Sequence, residues 1–450
     1  MTSHQSNTDR KNHHARHGES LRGSHDGPVG RGYRFAPYEL AFCGRSGAGK
    51  TTLITRLIRD LSPSYRIAYV KRDAHGFAMD REGKDTFRAT ESGAHAVFIN
   101  DAERFALLGT GEIDAPLASL LFPDVDFVFA EGYRRSELAK IVVVDPDGEI
   151  LDEVESGEIG RVAALILRGD AAQGVAERAR RVARSIGLRG AGLSAEGASS
   201  DASSRQAPSN EAGSNEASSG EASFTEAEPA LLSADDLPAI RELVLRHFAA
   251  QAAAVPLYGL VLGGGRSTRM HREKAAIAYH GVPQARWAAE LLSSVCRRVY
   301  VSTRADQGGE PVFDGLEQIH DRFVDIGPMG GILTALHAHP EAAWLVLGCD
   351  LPFVTLETLE ELIRRRDPFR FATCYDSLGD GLPEPLCAIY EPSYRARLHQ
   401  FLASGRTCPR KALIQSRCRR IPLLDPRALD NVNDPQESLA ASALLARRKG

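Results

Sequence analysis

The chain has 450 residues, of which 43% are hydrophobic, so it is long enough for two or three domains with sizeable cores. Its 55 lysines and arginines against 59 aspartates and glutamates leave a formal net charge of −4, which excludes a general nucleic-acid coat protein. No apolar run approaches the ~18 residues that span a bilayer, so no membrane partner is expected. Seven cysteines without a Cys-x-x-Cys pair exclude a zinc ribbon and indicate a reducing, cytoplasmic location.

Residues 1–36 are polar, rich in His, Arg, Gly and Ser, and predict a disordered tail. The pattern changes at Tyr38, where apolar strands begin to alternate with helical segments such as Thr51–Leu61. This alternation predicts an α/β domain with a doubly wound parallel sheet over residues 37–190. The predicted strands are Tyr38–Cys43, Arg66–Lys71, Ala96–Asn100, Asp126–Ala130, Ile141–Asp145 and Ala163–Leu167.

Residues 191–228 consist mainly of Ala, Ser, Gly, Glu and Asn and predict a disordered linker, because so few apolar side chains cannot offset the entropy of ordering. A capped amphipathic helix follows, and we assign residues 229–252 to the first domain as its last helix. The sequence leaves open whether helix 234–250 belongs to the first or the second domain.

A second series of alternating elements begins at Pro256 and predicts a Rossmann-like, doubly wound α/β domain over residues 253–450. Its first strand, Leu257–Leu262, leads into a loop rich in Gly, Arg and Ser. A helix at Ala285–Val295 and strands at Arg298–Ser302 and Ala343–Gly348 are predicted beyond it. The whole chain is therefore expected to be α/β, with two doubly wound domains.

The run Gly44–Thr51 fits the pattern G-x-x-x-x-G-K-[ST] in full, between a predicted strand and a predicted helix. Glycines let successive N–H groups face a β-phosphate, Lys50 neutralises β- and γ-oxygens, and the Thr51 hydroxyl is a Mg²⁺ ligand. An acid at the end of a later strand, Glu131, is a candidate for a second group near this Mg²⁺. The predicted nucleotide-binding residues of this P-loop site are Gly44, Gly47, Gly49, Lys50, Thr51, Thr52 and Glu131.

Further residues carry a specific resemblance in this domain. They are Tyr69–Arg72, His75–Phe77, Asp80, Gly83–Thr86, Arg88, Gly93-Ala94, Glu131–Tyr133 and Lys140. Together they resemble the GTP-binding adaptor family of molybdopterin–guanine dinucleotide biosynthesis, over about residues 38–166 and 232–248. The resemblance implies a P-loop NTPase fold that binds GTP, hydrolyses it slowly at best and assists its neighbour. Of the histidine cluster usual in that family, only His75 is present.

The loop from Leu262 to Lys274 is the second informative stretch. Three glycines after a buried strand let backbone amides approach a nucleotide, while Arg269 and Lys274 bring two positive charges to a triphosphate. Asp350 ends an apolar strand, where α/β folds place ligand groups, and its hard oxygens suit Mg²⁺. Taken alone, these residues also fit a flexible loop and a turn or helix-cap aspartate. As a nucleotidyl-transfer site they predict Arg269, Lys274 and Asp350 as catalytic residues, with Asp350 and Thr51 as the metal ligands of the two domains.

Five separated pieces resemble the molybdenum cofactor guanylyltransferases, within the glycine-rich-loop nucleotidyltransferases. They are Leu262–Lys274, Asp321 followed by Gly327–Ile332, Cys349–Pro352, Glu384–Leu386 and Asn431–Pro435. The resemblance implies that Asp321 reads the nucleoside and that Asp350 holds nucleotide and Mg²⁺. Gly263 stands where the family usually has Ala, and Arg304 lies near a position often occupied by Asn. The implied nucleotide-binding residues are Leu262, Gly263, Gly264, Gly265, Lys274, Asp321 and Asp350.

The two resemblances together imply a bifunctional protein that transfers GMP from Mg·GTP to the phosphate of molybdopterin and releases pyrophosphate. Its expected partners are GTP, molybdopterin and the molybdoenzymes or their chaperones. One alternative is a cytidylyl- or sugar-phosphate nucleotidyltransferase fused to a P-loop protein; the run Gly327–Gly331 favours guanine. Another is a non-catalytic GTP-switch adaptor that delivers cofactor, against which the presence of Lys274 and Asp350 argues.

Overall fold

The computed structural model describes residues 38–72, 79–109, 121–122, 124–187, 230–263, 274–307 and 309–448. The predicted tail at 1–36 and the predicted linker at 191–228 lie outside these residues. Among the described helices, none has both the length and the apolar composition needed to cross a membrane. All seven cysteines are described, and each is a free thiol.

The first domain is built on a sheet of six described strands in the order β2-β5-β1-β6-β7-β8, and every neighbouring pair in it is parallel. Parallel strands buried on both faces are expected to be almost entirely apolar, as β1 and β5 are. The described strands of this domain are β1 Glu39–Cys43, β2 Ile67–Lys71, β3 Ala96–Asn100, β4 Phe105–Gly109, β5 Phe127–Glu131, β6 Lys140–Val143, β7 Val162–Leu167 and β8 Ala230–Ser233.

The structure corrects one strand of the predicted parallel sheet. Strand β3 does not join it but forms an antiparallel hairpin with β4. The reason is local: the Asp101 carboxylate accepts the N–H groups of Glu103 and Arg104, so the chain turns directly after β3. Strand β8 was not predicted, and it closes the far edge of the main sheet beside β7.

Helices cover both faces of this sheet, and the one after the predicted linker packs into its core. Its described helices are α1 Lys50–Leu61, α2 Asp85–Glu91, α3 Ile150–Glu155, α4 Gln173–Ser185 and α5 Leu237–Ala253. Helix α5 begins at Asp236, whose carboxylate accepts the Ala239 N–H, and its Phe248 ring stacks on Phe127 at 4.4 Å. Strand β8 and helix α5 thus belong to the first domain, on the far side in sequence of the predicted linker.

The second domain has a mixed sheet of seven described strands in the order β11-β10-β9-β12-β14-β13-β15. Strand β14 is antiparallel to both neighbours, whereas the other strands run in one direction. The strands are β9 Leu257–Leu262, β10 Arg298–Thr303, β11 Gln318–His320, β12 Ala343–Gly348, β13 Ala372–Asp376, β14 Pro383–Tyr390 and β15 Cys418–Pro422. The helices are α6 Gln284–Ser293, α7 Pro328–Ala338, α8 Leu356–Arg364, α9 Tyr394–Ala403, α10 Pro409–Ile414 and α11 Pro435–Arg448.

The two domains meet through an aromatic contact. Phe369, just before β13, packs edge-on against Tyr38 and Phe127, with ring centroids 4.9 and 5.2 Å apart. It also lies 6.2 Å from the Tyr65 ring. The Tyr38 hydroxyl donates to the Pro368 carbonyl at 3.4 Å. A ring of the second domain thus completes the apolar core of the first.

A buried ion pair lies beside this aromatic contact. The Asp126 carboxylate, which is fully buried, accepts two hydrogen bonds from the Arg417 guanidinium at 3.0 and 2.9 Å. Arg370 approaches the same carboxylate at 3.5 Å. The groups at this interface precede strands β1, β2 and β5 in one domain and β13 and β15 in the other. The two sheets therefore meet at the amino-terminal ends of their parallel strands.

Candidate functional sites

The P-loop follows β1 and leads into α1, so it lies at the carboxyl end of the first sheet. Gly49 immediately precedes α1 with a φ of 95°, a conformation that glycine adopts without strain. A Cβ atom on Gly44 would come within 2.7 Å of the Val143 carbonyl oxygen, so the loop passes too close to β6 for any side chain. These glycines let the loop turn closely between β1 and α1, where a phosphate cradle is predicted.

The polar side chains of this site converge on Glu131. It is buried at the end of β5, and its Oε2 accepts hydrogen bonds from the Thr51 hydroxyl at 2.8 Å and from the Tyr69 hydroxyl at 2.6 Å. The parallel pairing of β1 with β5 brings the strand-end acid to the loop across 80 residues of sequence. Burial, followed by the Glu131 hydrogen bond, raises the pKa of Tyr69, so its hydroxyl remains a donor.

Lys50 spans the loop. Its Nζ donates to the Arg45 carbonyl at 2.8 Å, and partial burial lowers its pKa, opposed by the charge of Glu131. Thr52 lies exposed in the first turn of α1. A phosphate in the cradle would offer Lys50 a charged acceptor in place of the carbonyl oxygen.

Arg134 is a residue of this site that the sequence reasoning missed. Its guanidinium donates to the Gly44 carbonyl at 3.0 Å and to both carboxylate oxygens of Glu153 at 3.0 Å. It therefore ties the start of the P-loop to α3. The available signal was its place three residues after Glu131, in a loop that follows a strand-end acid.

Lys140 and His75, which belong to the first resemblance, differ in outcome. Lys140 is buried, and its Nζ donates to the carbonyls of Ser136 at 2.6 Å and Leu138 at 2.8 Å. It thus holds the loop that follows Glu131, and burial lowers its pKa. His75 lies outside the described residues.

The second site begins where β9 ends. Leu262 packs partly buried against the core, and Gly263 follows it. A Cβ atom on Gly263 would stand 2.9 Å from the Phe313 ring and 2.9 Å from a Val301 methyl. Any larger residue at this position would crowd the Phe313 ring and the Val301 methyl group. Gly264, Gly265 and Arg269 lie outside the described residues.

Lys274, Asp350 and Asn433 come together from three distant parts of the chain. The Lys274 Nζ lies 2.7 Å from Asn433 Oδ1 and 3.5 Å from Asp350 Oδ2. The other carboxylate oxygen of Asp350, Oδ1, is buried and has no hydrogen-bond partner among the described residues. Asn433 lies in the Asn431–Pro435 piece of the second resemblance, but its contact with Lys274 could not be deduced from spacing.

Asp321 lies at the end of β11, two strands from β9. Its Oδ1 accepts a hydrogen bond from the Ser302 hydroxyl at 2.5 Å. Burial raises the pKa of Asp321, while this hydrogen bond and the charge of Arg304 partly oppose the increase. Gly331 packs so closely that a Cβ atom would lie 2.4 Å from the Ser302 Oγ. The glycines before and within α7 thus permit the close helix–sheet contact that surrounds Asp321.

These observations define the class of protein. One domain has a P-loop beside Glu131, an acid at the end of a strand. The other brings Gly263, Lys274 and Asp350 to the carboxyl ends of the strands of a mostly parallel sheet, where such folds bind ligands. Residues 39–164 match the family of molybdopterin guanine dinucleotide synthesis protein B (MobB), and residues 259–420 match the MobA-like NTP transferase domain. The chain therefore joins a MobB-like domain to a MobA-like nucleotidyltransferase domain.

Curated relatives match each part. A molybdenum cofactor biosynthesis bifunctional protein of Synechocystis is 36% identical over 188 residues, which are 42% of this chain and 54% of that relative. A molybdopterin-guanine dinucleotide biosynthesis adapter protein of Escherichia coli is 34% identical over 23% of this chain and 63% of its own length. A probable molybdenum cofactor guanylyltransferase of Nostoc is 29% identical over 40% of this chain and 88% of its own length.

A solved structure of molybdopterin-guanine dinucleotide biosynthesis protein A from Archaeoglobus fulgidus is 23% identical. It matches over 42% of this chain and 99% of that one, with a TM-score of 0.37. The match to the Synechocystis bifunctional protein spans about half of that relative, 54% of its length.

Proposed function

We propose that the second domain is a molybdenum cofactor guanylyltransferase, which transfers GMP from GTP to the phosphate of molybdopterin and releases pyrophosphate. The observation that carries this proposal is the cluster of Lys274, Asp350 and Asn433 beyond the end of β12, within a domain that matches the MobA-like transferases. The names of the relatives support guanine as the base and molybdopterin as the acceptor.

In the reaction, a phosphate oxygen of molybdopterin attacks the α-phosphorus of GTP, a new P–O bond forms, and the bond to the β-phosphate oxygen breaks. The acceptor phosphate is already ionised at neutral pH, so no side chain is needed as a base. Lys274 neutralises charge on the triphosphate in the transition state, and Asn433 orients its ammonium group. Asp321 reads the nucleoside, while Leu262 and Gly263 approach the nucleotide by their backbone.

The donor set fits a divalent cation, which we propose to be Mg²⁺. The buried, unpartnered Oδ1 of Asp350 is a hard oxygen ligand, and the described residues contain no cluster of three or more His, Cys, Asp or Glu side chains that could hold a metal by themselves. Mg²⁺ is usually held by one or two carboxylates together with substrate phosphates. When bound, the ion supplies positive charge to the pyrophosphate that leaves.

We propose that the P-loop domain binds a second Mg·GTP through the Gly44–Thr51 loop. Its hydrolysis is slow at best, as the resemblance of this domain to the GTP-binding adaptors implies. Thr51 and Glu131 would face the metal, and Tyr69 keeps Glu131 in place. The domain assists cofactor handling for molybdoenzymes or their chaperones, while the transferase carries out the chemistry.

The deciding experiment measures pyrophosphate release by the purified full-length chain with Mg²⁺, molybdopterin and either GTP or CTP. We expect release with GTP only when molybdopterin is present, and much slower release with CTP. A preference for CTP would assign the cytidylyl alternative, and release with a sugar phosphate would assign the sugar-phosphate alternative. Binding of GTP without any release would leave the adaptor alternative.

A further inference from the structure

A cleft of about 550 Å³ lies between the two domains, and five arginines line it. Arg66 comes from the first domain, and the second supplies the remainder: Arg370, Arg417, Arg419 and Arg420. We call it the arginine cleft. Cavities of this size are typical of small-molecule sites. The cleft lies at the amino-terminal ends of the strands, whereas both nucleotide sites lie at the carboxyl-terminal ends. Its arginines therefore belong to neither nucleotide site.

The charges of the cleft are only partly compensated. The carboxylates that pair with its arginines are Asp124, Asp126, Asp367 and Asp376, so five positive charges face four negative ones. Arg419 is exposed and has no ion pair within the described part of the chain. The paired Arg66 and Arg420 side chains are still 57% and 45% exposed.

Guanidinium donors remain available to a ligand. Each guanidinium carries five N–H groups in a planar fork, and one carboxylate occupies two of them at most. The fork matches the oxygens of a phosphate group, and bidentate pairs of this kind are among the stronger hydrogen bonds in proteins. Several forks around one cleft match a ligand with more than one phosphate, whereas a single phosphate would leave most of them unused.

The walls of the cleft also limit the ligand. Tyr65 contributes an aromatic side chain, and Ser62 and Ser64 contribute hydroxyl groups. The volume admits a small molecule, and the formal net charge of −4 on the chain does not favour a long polyanion. We propose that the arginine cleft binds a small anion with two or more phosphate groups, of the pyrophosphate or nucleoside polyphosphate class. Because both domains line it, such a ligand would also strengthen their contact.

The test is a calorimetric titration of the full-length chain with inorganic pyrophosphate. The host carries Lys50→Ala and Lys274→Ala, which weaken phosphate binding at the two nucleotide sites and leave the cleft intact. We expect one saturable site, and Arg419→Ala should weaken it roughly tenfold, the loss of one charge-assisted contact at an exposed position. Arg181→Ala on α4 is the matched control, since it removes one exposed arginine away from the cleft and should leave the affinity unchanged.

Parallel titrations identify the source of the phosphates. Tighter binding of GTP than of pyrophosphate assigns a nucleotide, and equal binding assigns the diphosphate group alone. The proposal is overturned if pyrophosphate does not saturate, if Arg419→Ala leaves the affinity unchanged, or if Arg181→Ala lowers it equally. Preferential, Arg419-dependent binding of a single-stranded oligonucleotide would also overturn it. None of these results depends on guanylyl transfer, so the proposed function is tested separately.

Discussion

Asp350 has a buried carboxylate oxygen that finds no hydrogen-bond partner in the described part of the chain, and Lys274 lies 3.5 Å from its other oxygen. A buried acceptor without a partner is unfavourable unless a ligand uses it, so the arrangement is suited to a bound cation. We predict that Asp350→Asn lowers the rate of pyrophosphate release roughly 10²–10³-fold, since one negative charge toward the metal is lost. The free energy of unfolding should change by less than about 1 kcal/mol, because the amide has nearly the same shape.

Turnover and urea unfolding are to be measured on one preparation of the variant. Asp314→Asn, an exposed position of the same domain, is the control and should change neither. If Asp350→Asn instead destabilised the protein and left turnover near normal, the carboxylate would have a structural role and the metal assignment would be wrong.

Tyr69 and Thr51 donate to the same oxygen of Glu131. Once Thr51 directs its oxygen to a metal, Tyr69 is the hydroxyl that still holds the carboxylate in place. Tyr69→Phe should therefore weaken Mg²⁺-dependent GTP binding at the P-loop about fivefold, the effect of one hydrogen bond worth about 1 kcal/mol. Nucleotide titration with and without Mg²⁺ tests this, and guanylyl transfer at the other site is the internal control. An equal loss without Mg²⁺ would contradict the role.

At the scale of elements, the end of β9 is fitted to the short helix that contains Phe313. Gly263→Ala would place a methyl group 2.9 Å from the Phe313 ring, which is fully buried. We predict a destabilisation of about 1–3 kcal/mol in chemical unfolding, as for other overpacked positions. Phe313→Leu in the same chain should recover part of the loss, and Gly309→Ala, which meets no atom within 4 Å, should be neutral. Failure of the rescue would show that the Val301 methyl, which the new Cβ atom would also meet at 2.9 Å, and not the Phe313 ring, requires glycine.

The sequence predicted the elements whose signal is local. Apolar runs located β1, β5, β9 and β12, and the glycine pattern located the P-loop between its strand and helix. Pairing is not local, which is why Ala96–Asn100 was assigned to the wrong sheet. Strand β8 has only four residues after a long polar segment, too few for a recognisable period. The reversed direction of β14 likewise depends on its neighbours and not on its composition.

The same distinction applies to the sites. Motifs located Thr51, Lys274 and Asp350, because their chemistry requires fixed spacing or a strand end. Contacts such as that of Lys274 with Asn433 join residues 159 positions apart and follow only from the folded chain. Arg134 and Tyr69 act by holding other groups, and although both lie in predicted loop or strand-end positions, their hydrogen-bond partners follow only from the folded chain.

At the scale of the molecule, the domains are held by Phe369 and by the buried pair of Asp126 and Arg417. Removing Arg417 leaves the buried Asp126 charge with only Arg370 at 3.5 Å and the Arg66 N–H, and the loss of one partner of a buried pair typically costs up to about 3–5 kcal/mol. Arg417→Ala should therefore destabilise the full chain by about this amount near pH 8, as measured by urea unfolding. The double variant Asp126→Asn/Arg417→Met, without either charge, should lie close to the wild type.

The destabilisation caused by Arg417→Ala should depend on pH. Burial raises the pKa of Asp126 from 3.8 to about 6, opposed by the Arg66 backbone N–H and by Arg370. A raised pKa means that proton uptake favours the folded form; this contribution is complete below 3.8 and is lost as the pH rises through about 6. Arg417→Ala should thus be less destabilising near pH 5 than near pH 8. An equal loss at both values would contradict the burial of this carboxylate.

The contact between the domains determines how their two nucleotide sites can cooperate. The two sheets meet at the amino-terminal ends of their parallel strands. The P-loop and the transferase site lie at the carboxyl-terminal ends, so they face away from each other. A nucleotide bound at the P-loop then has no direct path to Asp350 within one chain while the domains remain in contact.

We predict that Lys50→Ala abolishes GTP binding at the P-loop, while transfer at saturating GTP keeps at least about half its rate, because the transferase takes GTP from solution. Isothermal titration and pyrophosphate release on the same variant test the two statements separately. A fall in transfer that parallels the loss of P-loop binding would mean that the domains separate during turnover, or that the P-loop site of one chain serves the transferase of another; dependence of the rate per chain on protein concentration distinguishes these two.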